Sequence, residues 1–289
     1  MALLPKKRFF MQEIFLCSIS NVSSGDCSED CAYCTQSSHH QGKIRRYKYK
    51  KEEDVLQEAK ALRALGALGF CLVTSGRGLD SKKCDYIARL ARTIKQEVPD
   101  LHLIACCGRA DVDSLRFLKE NGIDSYNHNL ESSQNFFPNI CTTHPWEERF
   151  STCENTLKAG LSLCSGGIFG LGESFEDRIE LLRTLQSLTP ATTPINFFIP
   201  SPSLPIKQSV MSAPEALECL ALAKEFLPKT RLMVAGGREV VFGSDQQGIF
   251  DCGVEAIVLG DYLTTKGDAP KKDLEMLQTY GLTIATSCH

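Results

Sequence analysis

Leu101-His-Leu-Ile-Ala-Cys106, then Ser114-Leu-Arg-Phe-Leu-Lys-Glu-Asn121 with Gly122, then Ser125-Tyr-Asn-His-Asn129 form a strand, a helix with its stop, and the next strand. The first run is short and largely apolar, as strands buried in a sheet are, and the last is a short run that follows the helix stop. The middle run is amphipathic at helical spacing, and Gly122 stands where a helix gives way to an extended segment. The same alternation runs outward in both directions. Short, mostly apolar runs at 14–20, 70–74, 101–106, 161–165, 195–199, 232–235 and 256–259, with the more polar run at 125–129, predict strands. Amphipathic stretches at 52–68, 84–96, 114–121, 147–159, 175–187, 213–226, 245–251 and 272–279 predict helices. Gly160, Gly253 and Gly281 repeat the stop.

Eight strand–helix units in 289 residues predict an α/β fold, a (β/α)8 TIM-type barrel, as a single domain over 1–289 with a short N-terminal extension, 1–12. An open doubly wound sheet shows the same alternation and is the structural alternative. No linker or low-complexity tract divides the chain, and the Pro-rich piece 200–205 is expected to cover the barrel mouth as a loop. Trp146, the only tryptophan, reads as a packing residue.

A chain this long buries a substantial core without disulfides. Its formal net charge of −3 gives no polyanion-binding signal, so nucleic acid is not expected as a partner. Lys6, Lys7 and Arg8 precede an apolar stretch that Gln12 and Glu13 interrupt, with no small-residue cleavage site after it. No window approaches 18 uninterrupted apolar residues, so no membrane partner and a cytoplasmic location are expected. The unusual count is 14 cysteines. Disulfide frameworks belong to small secreted domains, so a long cysteine-rich chain points to reduced thiols and metal ligation.

Cys27-Ser-Glu-Asp-Cys31-Ala-Tyr-Cys34 follows the first strand with the spacing C-x3-C-x2-C. A compact loop of this kind can aim three thiolates at three irons of a cubane and leave the fourth iron open. A zinc site is the alternative, with His39 or His40 as fourth ligand. Farther on, Gly166-Gly-Ile168-Phe-Gly170-Leu-Gly-Glu173 is a glycine-rich stretch after the fifth strand, where backbone can approach a ligand closely. Its glycines are not in the order a Rossmann loop needs. Cys71, Cys106 and Cys164 lie in the second, third and fifth predicted strands, and Arg238 follows the seventh. Alternate residues of barrel strands point inward, so these four could converge on one interior point. A buried arginine needs a paired charge or a ligand.

On these motifs the chain resembles the biotin synthase family of radical S-adenosylmethionine enzymes, over about residues 12–281. The loop cysteines with Tyr33 match the radical S-adenosylmethionine signature. The resemblance implies a 4Fe-4S cluster on Cys27, Cys31 and Cys34 whose open iron chelates S-adenosylmethionine, giving methionine and a 5′-deoxyadenosyl radical. It further implies a 2Fe-2S cluster on Cys71, Cys106, Cys164 and Arg238 as sulfur donor to dethiobiotin. Tyr33, Glu131, Arg149, Gly166, Ile168, Gly170 and Glu173 are the implied cofactor contacts; Glu131 stands where the family often has Asp. The runs Tyr126-Asn127-His128-Asn129-Leu130 and Pro194-Ile195-Asn196 match the family's substrate segments, so Asn127, Asn129 and Asn196 are the implied dethiobiotin contacts. Amides suit a cyclic urea, offering both donor and acceptor. A flavodoxin-type electron donor and a homodimer are also implied. Cys107 leaves the third ligand ambiguous by one residue. Met11 is an alternative start. Cys17, Cys84, Cys141, Cys153, Cys219 and Cys252 read as ordinary packing, Cys288-His289 as exposed, and His128 as either site or scaffold. Another barrel enzyme of the radical superfamily, such as a hydrogenase maturase, or an iron–sulfur electron carrier are the alternative functions.

Overall fold

The computed structural model describes residues 12–288; the extension up to Met11, and His289, lie outside them. The strands are β1 (Glu13–Asn21), β2 (Gly69–Val73), β3 (His102–Cys106), β4 (Ser125–Asn127), β5 (Ser162–Cys164), β6 (Gly167–Phe169), β7 (Thr192–Phe197), β8 (Arg231–Val234), β9 (Ala256–Val258) and β10 (Thr283–Ile284). The helices are α1 (Glu52–Ala64), α2 (Ser81–Glu97), α3 (Val112–Glu120), α4 (Trp146–Lys158), α5 (Phe175–Leu188), α6 (Ala213–Phe226), α7 (Arg238–Phe242), α8 (Gln247–Asp251) and α9 (Pro270–Thr279). Every strand pair is parallel, and β1 pairs with β9 as well as β2, so the sheet closes into a barrel. The open-sheet alternative is excluded by that closure. β5 and β6 are two halves of one barrel position: both pair with β7, through Cys164↔Thr192 and Gly167↔Ile195. β10 adds only a short pairing outside β1.

Strand parity sorts the side chains. In β1, Ile14 and Leu16 join the outer core beneath the helices, whereas Phe15 and Cys17 belong to the interior cluster with Cys71, Ile104, Met233 and Val258. This follows from the period-two geometry of a strand, which makes adjacent residues face opposite sides. The helices start on side-chain caps where the sequence supplies them: Asp80, Asp111 and Ser212 each accept an N–H from three residues on. Ser174 and Asp177 close a reciprocal capping box. Gly122, Gly160, Gly253 and Gly281 all take positive φ after their helices.

The mouth differs from expectation. Leu204 and Ile206, in and beside the Pro-rich piece, pack into the outer core, and residues 200–205 line neither cavity described below. The segment Tyr262, Leu263, Thr264 and Thr265 does, with Thr264 Oγ1 2.9 Å from Thr35 Oγ1 in the cysteine loop. Among the described residues, no helix is long and apolar enough to cross a membrane.

Candidate active site

Two adjoining cavities occupy the barrel mouth and interior. The outer one, of about 190 Å³, is lined by Cys27, Cys31 and Cys34 together with Tyr33, Asn129, Glu131 and Arg149. The inner one, of about 320 Å³, is lined by Cys71, Cys106, Cys164, Asn127 and Asn196. Cys106, Asn129 and Glu131 border both.

The cysteine loop runs from the end of β1 toward α1. Cys34 N–H donates to Cys31 O at 3.0 Å, a turn that brings two thiols to the same wall. Burial pushes the Cys34 thiol up to about 11. Arg149, reaching from α4, donates from Nη1 to Asn129 O at 2.9 Å and from Nη2 to the Tyr33 hydroxyl at 3.2 Å. Its guanidinium also lies 3.6 Å from Glu131, both side chains being 12% exposed. Burial raises the Glu131 carboxyl against the pull of Arg149. Glu131 holds a left-handed backbone, φ 70°, which is uncommon for a non-glycine residue and concentrates at functional sites. The β6 edge holds it there, since Ile168 N–H donates to Glu131 O at 2.8 Å.

In the inner cavity, β2, β3 and β5 present Cys71, Cys106 and Cys164. Burial raises all three thiols, Cys106 to about 11 and the other two farther. Asn127 Nδ2 donates to Cys106 Sγ at 3.4 Å. Cys107 faces the other way, into the core beneath the helices, with Sγ 3.9 Å from Leu72 O. Of these two neighbouring cysteines, Cys106 is the one that faces the cavity.

Arg238 requires a correction. It does not line the cavity with the thiols. It opens the unforeseen helix α7 after Gly237, whose φ is 87° and where a Cβ would come within 2.4 Å of Phe197 O. That turn carries the arginine away toward α9, where Nη2 meets Asp273 Oδ1 at 2.8 Å and Glu239 Oε1 at 2.9 Å, and Nη1 donates to Gln246. Its burial is balanced by this ion cluster. The arginine and sulfur side chains that β8 does aim inward are Arg231 and Met233.

Neither Gly166, Ile168, Gly170 nor Glu173 lines either cavity. Glu173 accepts from Gly170 N at 2.9 Å and Leu171 N at 2.7 Å, and pairs with Arg178 at 2.8 Å. A Cβ on Gly166 would fall 1.9 Å from Pro194 O, so the absent side chain there admits neighbouring backbone. Asn129 Oδ1 accepts from Gly166 N at 3.2 Å. Asn196 braces β6 and the turn after β8, from Nδ2 to Gly167 O at 3.2 Å and at Oδ1 from Gly236 N at 2.9 Å. Asn127 differs: its Oδ1 is buried without a partner, as are Glu131 Oε2 and Arg149 Nε. Orphaned polar atoms facing a cavity are what a bound polar ligand satisfies.

Two functional candidates escaped the sequence reading. Cys17 lines the inner cavity. Cys141 and His144 converge on Cys31. Strand parity could have shown the first; the second depends on a loop after β4 that carries no periodic signal.

The radical SAM superfamily pattern matches residues 21–185, and the Biotin and Thiamin Synthesis associated domain matches 194–283. Biotin synthase of Helicobacter pylori strain J99 is 73% identical over 282 residues, covering 96% of this chain and all of that one. The chain belongs to the biotin synthase family. Biotin synthase of Helicobacter hepaticus is 64% identical over 277 residues, covering 96% and 98%. Among solved structures, methylornithine synthase superposes with a TM-score of 0.80 at 17% identity, covering 94% of this chain and 84% of that one. An FeFe-hydrogenase maturase from Carboxydothermus hydrogenoformans does so with 0.80 at 19%, covering 93% and 67%. These last two share the barrel. As a member of the biotin synthase family, the chain is a radical S-adenosylmethionine enzyme, a sulfurtransferase that forms biotin, and the radical family implies a 4Fe-4S cluster and S-adenosylmethionine.

Proposed function

We propose that the chain inserts sulfur between C6 and C9 of dethiobiotin with two iron–sulfur clusters, a 4Fe-4S cluster on Cys27, Cys31 and Cys34 and a 2Fe-2S cluster held by Cys71, Cys106 and Cys164. The observation that carries this reading is the shared wall: Cys106, Asn129 and Glu131 border both the loop-cysteine cavity and the three-thiol cavity. The donor set fits, since soft thiolates are the ligands iron–sulfur clusters take. When bound, the two groups supply reductive cleavage of S-adenosylmethionine on one side and a sulfur atom on the other.

The chain's own residues then position and shield. Arg149, tied to Tyr33 and Asn129, offers its unpartnered Nε to an anionic group of S-adenosylmethionine, and Glu131 offers its free oxygen to a donor group. Asn127 presents Oδ1 to a ureido N–H of dethiobiotin while its Nδ2 rests on Cys106. Fixing substrate against a buried thiol wall keeps a reactive carbon near sulfur and away from water. Gly166, Ile168, Gly170 and Glu173 act at one remove, by holding β6 against Glu131 and shaping the turn after it. Strands from both matched segments enter one closed sheet, which supports a single domain. A flavodoxin-type electron donor and a homodimer, which rest on the family resemblance, and a cytoplasmic setting, which rests on the sequence pattern, complete the reading.

Anaerobic incubation with S-adenosylmethionine, dethiobiotin and a reductant, followed by mass analysis, tests it. Biotin should appear together with 5′-deoxyadenosine and methionine. Cleavage products without biotin would contradict the assignment.

A further inference from the structure

The inner cavity holds a fourth thiol. Cys17 points inward from β1 between Phe15 and Ile19, is 4% exposed, and lines the same cavity as Cys71, Cys106 and Cys164. The neighbouring strand leaves room for it, because Gly69 stands opposite and a Cβ there would lie 3.1 Å from Cys17 Sγ. Its thiol makes a long contact of 3.8 Å with Ser18 O. The arginine that the family resemblance assigns to this cluster is absent from the cavity, and its guanidinium is committed to Asp273, Glu239 and Gln246. Arg231 does border the cavity, but its guanidinium stacks 4.4 Å from the Phe15 ring and donates to Cys288 O at 3.1 Å. Guanidinium is in any case a poor metal ligand, being protonated throughout the accessible pH range.

We propose that Cys17 is the fourth protein ligand of the interior cluster, giving it four thiolates and no arginine. This rests on the reading that Cys71, Cys106 and Cys164 hold a 2Fe-2S cluster. On ligation the Cys17 S–H gives its proton to water at the barrel mouth and an Fe–S bond forms; no electron changes hands.

The test isolates the interior cluster in a full-length Cys27→Ala/Cys31→Ala/Cys34→Ala protein reconstituted with ⁵⁷Fe and sulfide. This parent should hold about two irons and two sulfides per chain, as a 2Fe-2S cluster requires. Its Mössbauer spectrum should show one quadrupole doublet, since both irons carry the same thiolate set. Adding Cys17→Ser should remove or shift the visible absorption, whereas adding Arg231→Met should leave it. An unchanged spectrum in the Cys17→Ser protein, or two unequal doublets in the parent, overturns the assignment. The Mössbauer result decides if the Cys17→Ser protein fails to fold. A parent that binds no iron overturns the underlying cluster reading, and this inference with it.

Discussion

Cys141 Sγ lies 3.7 Å from Cys31 Sγ, and His144 Nδ1 lies 3.3 Å from Cys141 Sγ, the three side chains converging on one point. The cysteine loop therefore has a further thiol beside its middle cysteine, delivered from the turn after Phe137–Asn139.

That neighbour separates the three loop cysteines. Cys27→Ala and Cys34→Ala should abolish formation of 5′-deoxyadenosine from S-adenosylmethionine. Cys31→Ala should keep a small residue of loop-bound iron through Cys141, and Cys31→Ala/Cys141→Ala should lose it. The check is iron content and 5′-deoxyadenosine yield in a Cys71→Ala/Cys164→Ala background. Equal loss in the Cys31 single and double variants would show that Cys141 cannot substitute.

Arg149 and Glu131 form a buried pair whose members depend on each other. Arg149→Met strands a buried carboxylate, and breaking such a pair costs about 3–5 kcal/mol. Adding Glu131→Gln should restore part of that stability by removing the orphaned charge, while S-adenosylmethionine cleavage stays impaired in both. Denaturant unfolding of the clusterless proteins gives the comparison. No recovery in the double variant would mean that Arg149 stabilises the fold through Tyr33 and Asn129 alone.

For Arg238 the expected phenotype is structural. Arg238→Ala leaves Asp273 buried without its partner and should cost about 3–5 kcal/mol of stability. The surviving folded protein should keep the interior cluster's absorption. Loss of that absorption at unchanged stability would return the arginine to the ligand set.

These outcomes mark where the sequence was legible. The barrel was, because a two-residue period, helical amphipathicity and glycine stops recur unit after unit from β1 to β9. The inward placement of Cys71, Cys106 and Cys164 was, because parity inside a strand determines direction. Arg238 was not: β8 ends at Val234, and beyond it the Gly236-Gly237 turn sets a direction no periodicity encodes. Cys17 obeys the same parity as Cys71, yet a lone strand cysteine is ordinarily a small hydrophobe, so its neighbours had to be seen. Cys141 and His144 sit in a connection, where sequence spacing says nothing about which loop they will meet. Gly166 and Glu173 were legible as a motif but not in role, since their partners are backbone groups of other segments.

His128 sets a pH dependence. Burial, followed by the charges of Arg149 and His144, drives its imidazole well below the usual histidine range, and its Nε2 has no partner. The folded protein keeps it neutral while the unfolded chain takes a proton below about pH 6.5, so stability falls as pH drops through that value. The loss is about 1.4 kcal/mol per pH unit from this group. Unfolding midpoints of the clusterless protein at pH 7.5 and 5.5 should differ more than those of His128→Asn. Equal differences would mean that His128 is protonated in the fold.

The central claim is that the sulfur of biotin comes from a cluster held by Cys71, Cys106 and Cys164, the thiols that line one cavity with Asn127. The direct measurement is a single turnover with protein whose interior cluster was rebuilt with ³⁴S-sulfide and whose solution holds only unlabelled sulfur. Biotin carrying ³⁴S in that first turnover, with loss of the interior cluster's absorption in step, is the expected result. Unlabelled biotin formed while that absorption persists would contradict the account.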